Sequence, residues 1–372
     1  MAPVSARPER RILVAAGGTG GHLYPGIAVA RCFQAACPGT DIAFLGRRGG
    51  LEERLVPKEG FPLHTVTVRS LQGRSKLAQL QSLGALSIGT LQALRLLRRW
   101  RPHLVIGAGG YVMAPALLAA ALLRLPRVIM EQNLVPGLTV RVLARYAQRV
   151  FTAFPESRDF LPQPQVVCTG TPVRSEIVAQ AADAVPDDAA RLNVLVVGGS
   201  QGAHRLNQAV IEVLPILAAH SQQISFVHQT GETDLPRVIE AYEGSGITAE
   251  VHAFLHDMPQ RYHWAHLVLC RAGASTLAEL TACGKPAILV PYPHAADDHQ
   301  HHNALALRRQ GAAQVILDAE LTGQRLYECL QPYILDPTSL REQAAQSRRL
   351  GRPHAARDIV NACLQMLDAY AA

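Results

Sequence analysis

Aromatic side chains are scarce in this 372-residue chain, at only 5% of positions, which argues against an aromatic-rich β-sandwich core. Paired cysteines are missing too. The seven thiols (Cys32, Cys37, Cys168, Cys270, Cys283, Cys329 and Cys363) are odd in number, scattered and free of any Cys-x-x-Cys pair, a pattern that predicts reduced thiols in a cytoplasm. The longest apolar stretch, "APALLAAALL" at 114–123, is about half of what a bilayer span requires. The opening "MAPVSARPERR" has no apolar signal core. The expectation is a chain that neither crosses the membrane nor is exported.

Missing motifs narrow the chemistry further. A dinucleotide fingerprint fails in both Gly-rich loops: Leu23 occupies the third glycine position after Gly18 and Gly20, and nothing follows Gly202 at the required offset. Where a NAD enzyme would place an acid for the ribose, this chain has "GRRGG", which leaves only Arg47 or Arg48 to read an NADP phosphate. There is no Walker A sequence. Nor does Asp-x-Asp occur, which argues against a sugar-nucleotide enzyme that holds its diphosphate through a divalent ion.

What is present is a well-buried α/β composition, 48% hydrophobic, in a chain longer than a single core usually supports. Strand-like runs recur between helical patterns at 12–16, 41–46, 103–110, 127–132, 193–199, 224–231, 267–273 and 287–291. Such alternation predicts βα units and parallel sheets. The Gly-rich strand exit appears twice, as "LVAAGGTGGH" and "VLVVGGSQGAH", so two domains of one architecture are expected. We expect an N-terminal domain over 1–175, a Pro/Ala/Asp-rich linker over 176–190, a C-terminal domain over 191–350, and a last helix over 351–372 that could belong to either domain, packing back on the N-terminal one as one of the two arrangements. Charge divides the same way: residues 1–174 carry 22 Lys+Arg against 8 Asp+Glu, and the remainder 14 against 21. A basic half fits an anionic partner, nucleic acid or an anionic membrane leaflet, against the plain alternative of an arginine-biased solvated surface.

Loops stripped of side chains let a backbone approach a phosphate or sugar, and a helix starting there directs N–H groups at the anion. His22 closes the first loop at the carboxyl end of a strand, where open α/β sheets bind ligands. It is either a satisfied polar residue at a helix start or a base that accepts a hydroxyl proton. "EQNLVPG" puts Glu131, Gln132 and Asn133 after a strand, with Glu131 either catalytic or holding a loop. Arg174 follows a rigid Thr-Pro, well placed to clamp a diphosphate. Glu279 is three residues after Thr276, a capping-box spacing, or else a carboxylate for ribose hydroxyls. His294, His299, His301 and His302 with Asp297 and Asp298 are competent metal ligands, but neighbours on one element point different ways, so Gln300 and Asn303 are the more informative positions.

In order, "GGTGGHLYPGIAVA", "GAGGYVMAP", "EQNLVPG", "TGTPVR", "GGSQGAHRLN", "RAGASTLAEL" and "DDHQHHNA" resemble the MurG family of bacterial peptidoglycan glycosyltransferases, glycosyltransferase family 28. The resemblance runs from about residue 11 to residue 350. It implies a GT-B fold, two Rossmann-like parallel-sheet domains facing a central cleft, and a UDP-GlcNAc-dependent hexosyltransferase that works with inversion. UDP-GlcNAc would be the donor, the MurNAc 4-hydroxyl of lipid I the acceptor, and lipid II the product, with no cofactor, no catalytic metal and no nucleic acid. Thr19, Gly20 and Gly21 would contact donor sugar or diphosphate, and Asn133 the GlcNAc. Arg174 and Ser200 would face the diphosphate, and the Leu255 backbone would meet uracil. Ala274, Ser275, Thr276, Leu277, Ala278 and Glu279 would carry phosphate and ribose, and Gln300 the GlcNAc hydroxyls. His22 is the expected base and Glu131 its alternative. Two positions depart from the family pattern: Met113 and Ala114 precede Pro115 where a small hydroxyl is usual, and His299 replaces the first of a glutamine pair. A UDP-GlcNAc 2-epimerase, a transferase with another acceptor and a non-enzymatic binder are the competing expectations.

The acceptor gives the basic half a reason. Arg69, Arg74, Lys76, Arg95, Arg98, Arg99 and Arg101 are interleaved with leucines, which predicts peripheral attachment to the cytoplasmic face of the membrane, within reach of cell-wall synthesis proteins. The purified protein should sediment with anionic vesicles at low salt and release at high salt; failure to sediment counts against an anionic membrane partner.

Overall fold

The computed structural model describes residues 10–68, 76–161, 165–180, 191–199, 201–336 and 338–371. The chain divides into two compact units, Met1–Val173 with His354–Ala372, and Arg174–Pro353.

The first unit carries strands β1 (Arg11–Ala16), β2 (Asp41–Arg47), β3 (Leu63–Val66), β4 (Leu104–Gly109), β5 (Arg127–Glu131), β6 (Arg149–Thr152) and β7 (Val166–Cys168). Between them run α1 (Gly20–Ala36), α2 (Glu52–Lys58), α3 (Lys76–Trp100), α4 (Met113–Leu122) and α5 (Leu138–Leu143). The sheet order is β3-β2-β1-β4-β5-β6-β7, with every pair parallel. β1 reads as an unbroken apolar run because both its faces are covered. Ile12, Val14 and Ala16 face α1 and the last helix, while Leu13 and Ala15 face α3 and α4.

The second unit contains α6 (Ser175–Gln180), β8 (Leu192–Val197), α7 (His204–Leu217), β9 (Ile224–Gln229), α8 (Leu235–Glu243), β10 (Thr248–His252), α9 (Met258–Trp264), β11 (Leu267–Cys270) and α10 (Ala274–Cys283). Then follow β12 (Ala287–Leu289), α11 (His299–Arg309), β13 (Ala313–Val315), α12 (Gly323–Leu335) and α13 (Ser339–Leu350). Its parallel sheet has the order β10-β9-β8-β11-β12-β13. Val194 and Val196 pack with Leu206, Val210 and Val213 of α7 and Leu326 and Leu330 of α12, each full burial contributing roughly 1.5–3 kcal/mol. The final helix, α14 (Ala355–Ala371), returns to the first unit and buries Ile359, Val360 and Cys363 beside Leu23 and Phe33 of α1.

Strand order reverses between β1 and β4 in one sheet and between β8 and β11 in the other. Crevices at the carboxyl ends of such strands are where open α/β sheets bind ligands. The loops entering α1, α4, α7 and α10 therefore occupy the ligand-binding edges. Among the described residues no helix is long and apolar enough to cross a membrane, and all seven cysteines are free thiols.

Candidate active site

In the first unit two strand exits meet without side chains between them. Gly110 has φ +76°, and a Cβ there would drive into the Gly17 carbonyl. Gly109, at φ +122°, leaves the space that the His22 ring fills. Gly26 does the work of the missing third fingerprint glycine one turn later: its Cα faces Val14 and Ala108 at a distance where a Cβ would stand 3.2 Å from Val14 Cγ1.

α1 begins at Gly20, with Thr19 extended at the N-cap and making no side-chain cap bond. Half-buried His22 thus lies in the first helical turn, with Nδ1 3.3 Å from Gly17 O and 3.5 Å from Thr19 Oγ1. A carbonyl only accepts, so the Gly17 contact requires the proton on Nδ1 and makes Nε2 the basic nitrogen.

Glu131 closes β5 and is 5% exposed. Its Oε1 accepts Asn133 N at 2.9 Å and Asn133 Nδ2 at 3.2 Å, and its Oε2 accepts Gly137 N at 3.1 Å. Burial pushes its carboxyl up to about 7, although those donors pull the other way. Gln132 Nε2 donates to Ala108 O at 2.8 Å, tying the same loop to β4.

In the second unit the capping-box spacing at Thr276 and Glu279 is not used as a cap. α10 starts at Ala274 with Gly273 as its N-cap and no side-chain cap bond, which leaves Glu279 beyond the first turn. Its carboxylate instead accepts Tyr262 Oη at 2.9 Å and Arg174 Nη2 at 3.4 Å. Burial raises the Glu279 pKa, with Arg174 and Tyr262 opposing.

Gln229, at the end of β9, donates to Gly199 O at 2.8 Å and accepts Leu255 N at 3.1 Å, so it joins the Gly-rich loop to the Leu255 segment. Gln300 Oε1 accepts Tyr292 N at 2.9 Å. Ser200 lies outside the described residues. Among the described residues no three His, Cys, Asp or Glu side chains are grouped to hold a metal; His299 instead places Nδ1 2.7 Å from Ala296 O.

The N-terminal domain profile of glycosyltransferase family 28 matches residues 12–152, and the C-terminal domain profile matches 193–360. The chain belongs to glycosyltransferase family 28. It is 45% identical to a Geobacter metallireducens protein named UDP-N-acetylglucosamine–N-acetylmuramyl-(pentapeptide) pyrophosphoryl-undecaprenol N-acetylglucosamine transferase, over 94% of this chain and 97% of that one. A Myxococcus xanthus protein of the same name is 42% identical over 96% and 93%. The crystal structure of Acinetobacter baumannii MurG superposes with a TM-score of 0.79 at 30% identity, covering 96% of this chain and all of that one, so the two parallel-sheet units are those of a GT-B fold. A UDP-N-acetylglucosamine 2-epimerase structure, TM-score 0.66 at 14% identity, shares the fold alone.

Three side chains that hold these loops and side chains within their own units were not singled out from sequence: Gln229 and Tyr262 in the second unit and Glu52 in the first. Only Glu52 left a signal, as the acid next to glycines in "GRRGGLEE"; the other two act through tertiary contacts no motif records.

Glu131 gives the fold a pH dependence. The native carboxyl keeps its proton up to about pH 7, whereas its ordinary value is 4.5. Across that window the native state binds more protons than the unfolded chain, so stability falls as pH rises. The denaturant midpoint of wild type relative to Glu131→Gln should therefore be higher at pH 5 than at pH 8; parallel curves would mean Glu131 titrates normally.

Proposed function

We propose that this chain moves N-acetylglucosamine, with inversion, from UDP-GlcNAc to the MurNAc 4-hydroxyl of lipid I, forming lipid II. What carries the reading is identity of 42–45% along nearly the whole chain with transferases named for that reaction. The strand-end geometry supplies a mechanism for it. The acceptor hydroxyl attacks the anomeric carbon as the bond to UDP breaks, its electron pair passing to the diphosphate. His22 Nε2 takes the hydroxyl proton, and the resulting imidazolium is supported through Nδ1 by Gly17 O. Thr19, Gly20 and Gly21 line the same loop and would meet donor sugar or diphosphate. With both oxygens given to the 133–137 loop, Glu131 acts here by placing Asn133 for the GlcNAc rather than by taking the proton.

In the second unit the N-terminus of α10, from Ala274 to Thr276 followed by Leu277 and Ala278, would face the leaving diphosphate, and Ser200, outside the described residues, is the further contact expected for it. Glu279 would take the ribose hydroxyls, the Leu255 backbone the uracil and Gln300 the GlcNAc. Arg174 bonds the carboxylate that the ribose needs, so ribose binding would exchange that contact and hand the guanidinium to the diphosphate.

The membrane-borne acceptor is matched by two exposed faces of the first unit. On α3, Ile88, Leu91, Arg95, Arg98 and Arg99 are exposed at helical spacing, and Leu138, Arg141, Val142, Arg145 and Tyr146 are exposed on and just after α5. Apolar groups flanked by arginines suit an anionic lipid surface. Arg69 and Arg74 lie outside the described residues, as does the Lys76 side chain.

Labelled GlcNAc should pass from UDP-GlcNAc to a lipid I analogue in the presence of EDTA. Absence of transfer by a preparation that still binds UDP-GlcNAc would point to another acceptor or a metal. In the same assay His22→Ala should lower kcat by about 10²–10⁴ with donor affinity retained; wild-type turnover would move the base elsewhere. Glu279→Ala should weaken UDP-GlcNAc binding by roughly 1.5–3 kcal/mol, and an unchanged Kd would remove Glu279 from the ribose.

A further inference from the structure

The first residue of α2, Glu52, is fully buried and has no place in the mechanism above. A carboxylate withdrawn from water is costly unless its oxygens are hydrogen-bonded. Glu52 Oε1 accepts Arg47 N at 2.7 Å, and Oε2 lies 3.5 Å from Gly18 N, a long contact. Three glycines from two strand exits make room for it by omitting side chains. A Cβ on Gly17 would stand 2.6 Å from Glu52 Oε1, and one on Gly46 or Gly50 would overlap the Glu52 side chain outright. The acid expected after the second strand is therefore present five residues beyond Arg47, but it is turned inward onto the loop rather than outward to a ribose.

That loop is the one which fixes the imidazole. Gly17 is held between Glu52 on one side and Val112 and Gly110 on the other. Its carbonyl faces His22 Nδ1 at 3.3 Å. If the 17–18 peptide rotates, the carbonyl leaves Nδ1 and the ring loses the acceptor that selects its tautomer. Thr19 Oγ1, at 3.5 Å, can both donate and accept, so it imposes no tautomer.

We propose that Glu52 is a positioning residue for the transfer reaction: seated in a cradle of three glycines, it orients the Gly17–Gly18 peptide so that Gly17 O holds the proton of His22 on Nδ1 and leaves Nε2 as the base. The inference rests on His22 being the base in the proposed reaction. Glu52 touches neither the imidazole nor a reacting atom; it acts through the backbone between them. Glutamine at this position keeps the shape but offers one oxygen, and its amide N–H groups cannot accept from a backbone N–H.

The test measures the His22 tautomer directly, by long-range proton–nitrogen correlation spectra in which the His22 signal is assigned by its loss in His22→Ala. Wild type should show neutral His22 protonated at Nδ1, and Glu52→Gln should shift population toward the Nε2–H form. Alongside, kcat for transfer to the lipid I analogue should fall roughly 10- to 100-fold, the scale of a misplaced catalytic group. A cooperative thermal unfolding curve for Glu52→Gln, followed by circular dichroism, reports that the variant is folded. If Glu52→Gln does not fold, Gly50→Ala displaces the carboxylate without removing it and should give the same tautomer shift. Wild type found mainly as Nε2–H, or a folded variant that keeps both the Nδ1–H form and wild-type kcat, overturns the proposal. A wild-type protein that transfers no GlcNAc refutes the functional reading instead, and the tautomer spectra still decide whether Glu52 sets the ring.

Discussion

Backbone pressed against backbone at the strand exits is the constraint on which the rest of the site depends. Gly110 admits the Gly17 carbonyl in the first unit, and Gly202 and Gly231 pack against Thr230 O and Gln201 O in the second. All three have positive φ, where a side chain would be strained even with room to spare. Close crossing brings loops from different strands to one edge of each sheet, so that His22 meets Gly109 and Gln229 spans from Gly199 to Leu255. Side chains at these crossings would hold the loops apart and leave the polar groups scattered.

The crossings create a second requirement, since loops folded into a protein's edge carry N–H groups with no sheet partner. Buried carboxylates answer it repeatedly. Glu131 takes the amides of Asn133 and Gly137, and Glu52 takes that of Arg47. Glu279 does the same work for side chains, collecting the Tyr262 hydroxyl and the Arg174 guanidinium. Buried acids are used here to hold geometry, and burial raises the pKa of both Glu131 and Glu279 because the charged form is kept out of water.

The central strands were legible because they are covered on both faces and read as apolar runs: all eight runs marked in the sequence are strands, β1, β2, β4, β5, β8, β9, β11 and β12. The five strands left unmarked are β3, β6, β7, β10 and β13, and four of these are sheet edges. Edges such as "LHTV" and "TAEVH" are short and alternate with polar residues, so nothing separates them from loop. The glycine loops and His22 were visible as residues, but the partners that give them a conformation were not. Glu52 illustrates the limit. Its neighbours Gly46 and Gly50 are close in sequence, yet Gly17 comes from another strand exit, and only the sheet brings the three together.

Strain marks one further place where local preference yields to the site. Asp297 and Asp298 both adopt left-handed conformations, φ 51° and 49°, immediately before α11. Aspartate tolerates that region better than most residues, but two in succession still cost of order 1–3 kcal/mol each. The turn is held from both ends, by His299 on Ala296 O and by Gln300 on Tyr292 N. Tyr292 is in turn stacked under Arg271, which is paired with Asp318 at 2.6 Å. A chain of contacts running from Asp318 to Gln300 thus fixes the polar end of α11. His299 belongs to that chain of contacts as a backbone brace, its Nδ1 against Ala296 O, next to the Gln300 amide that holds Tyr292 N.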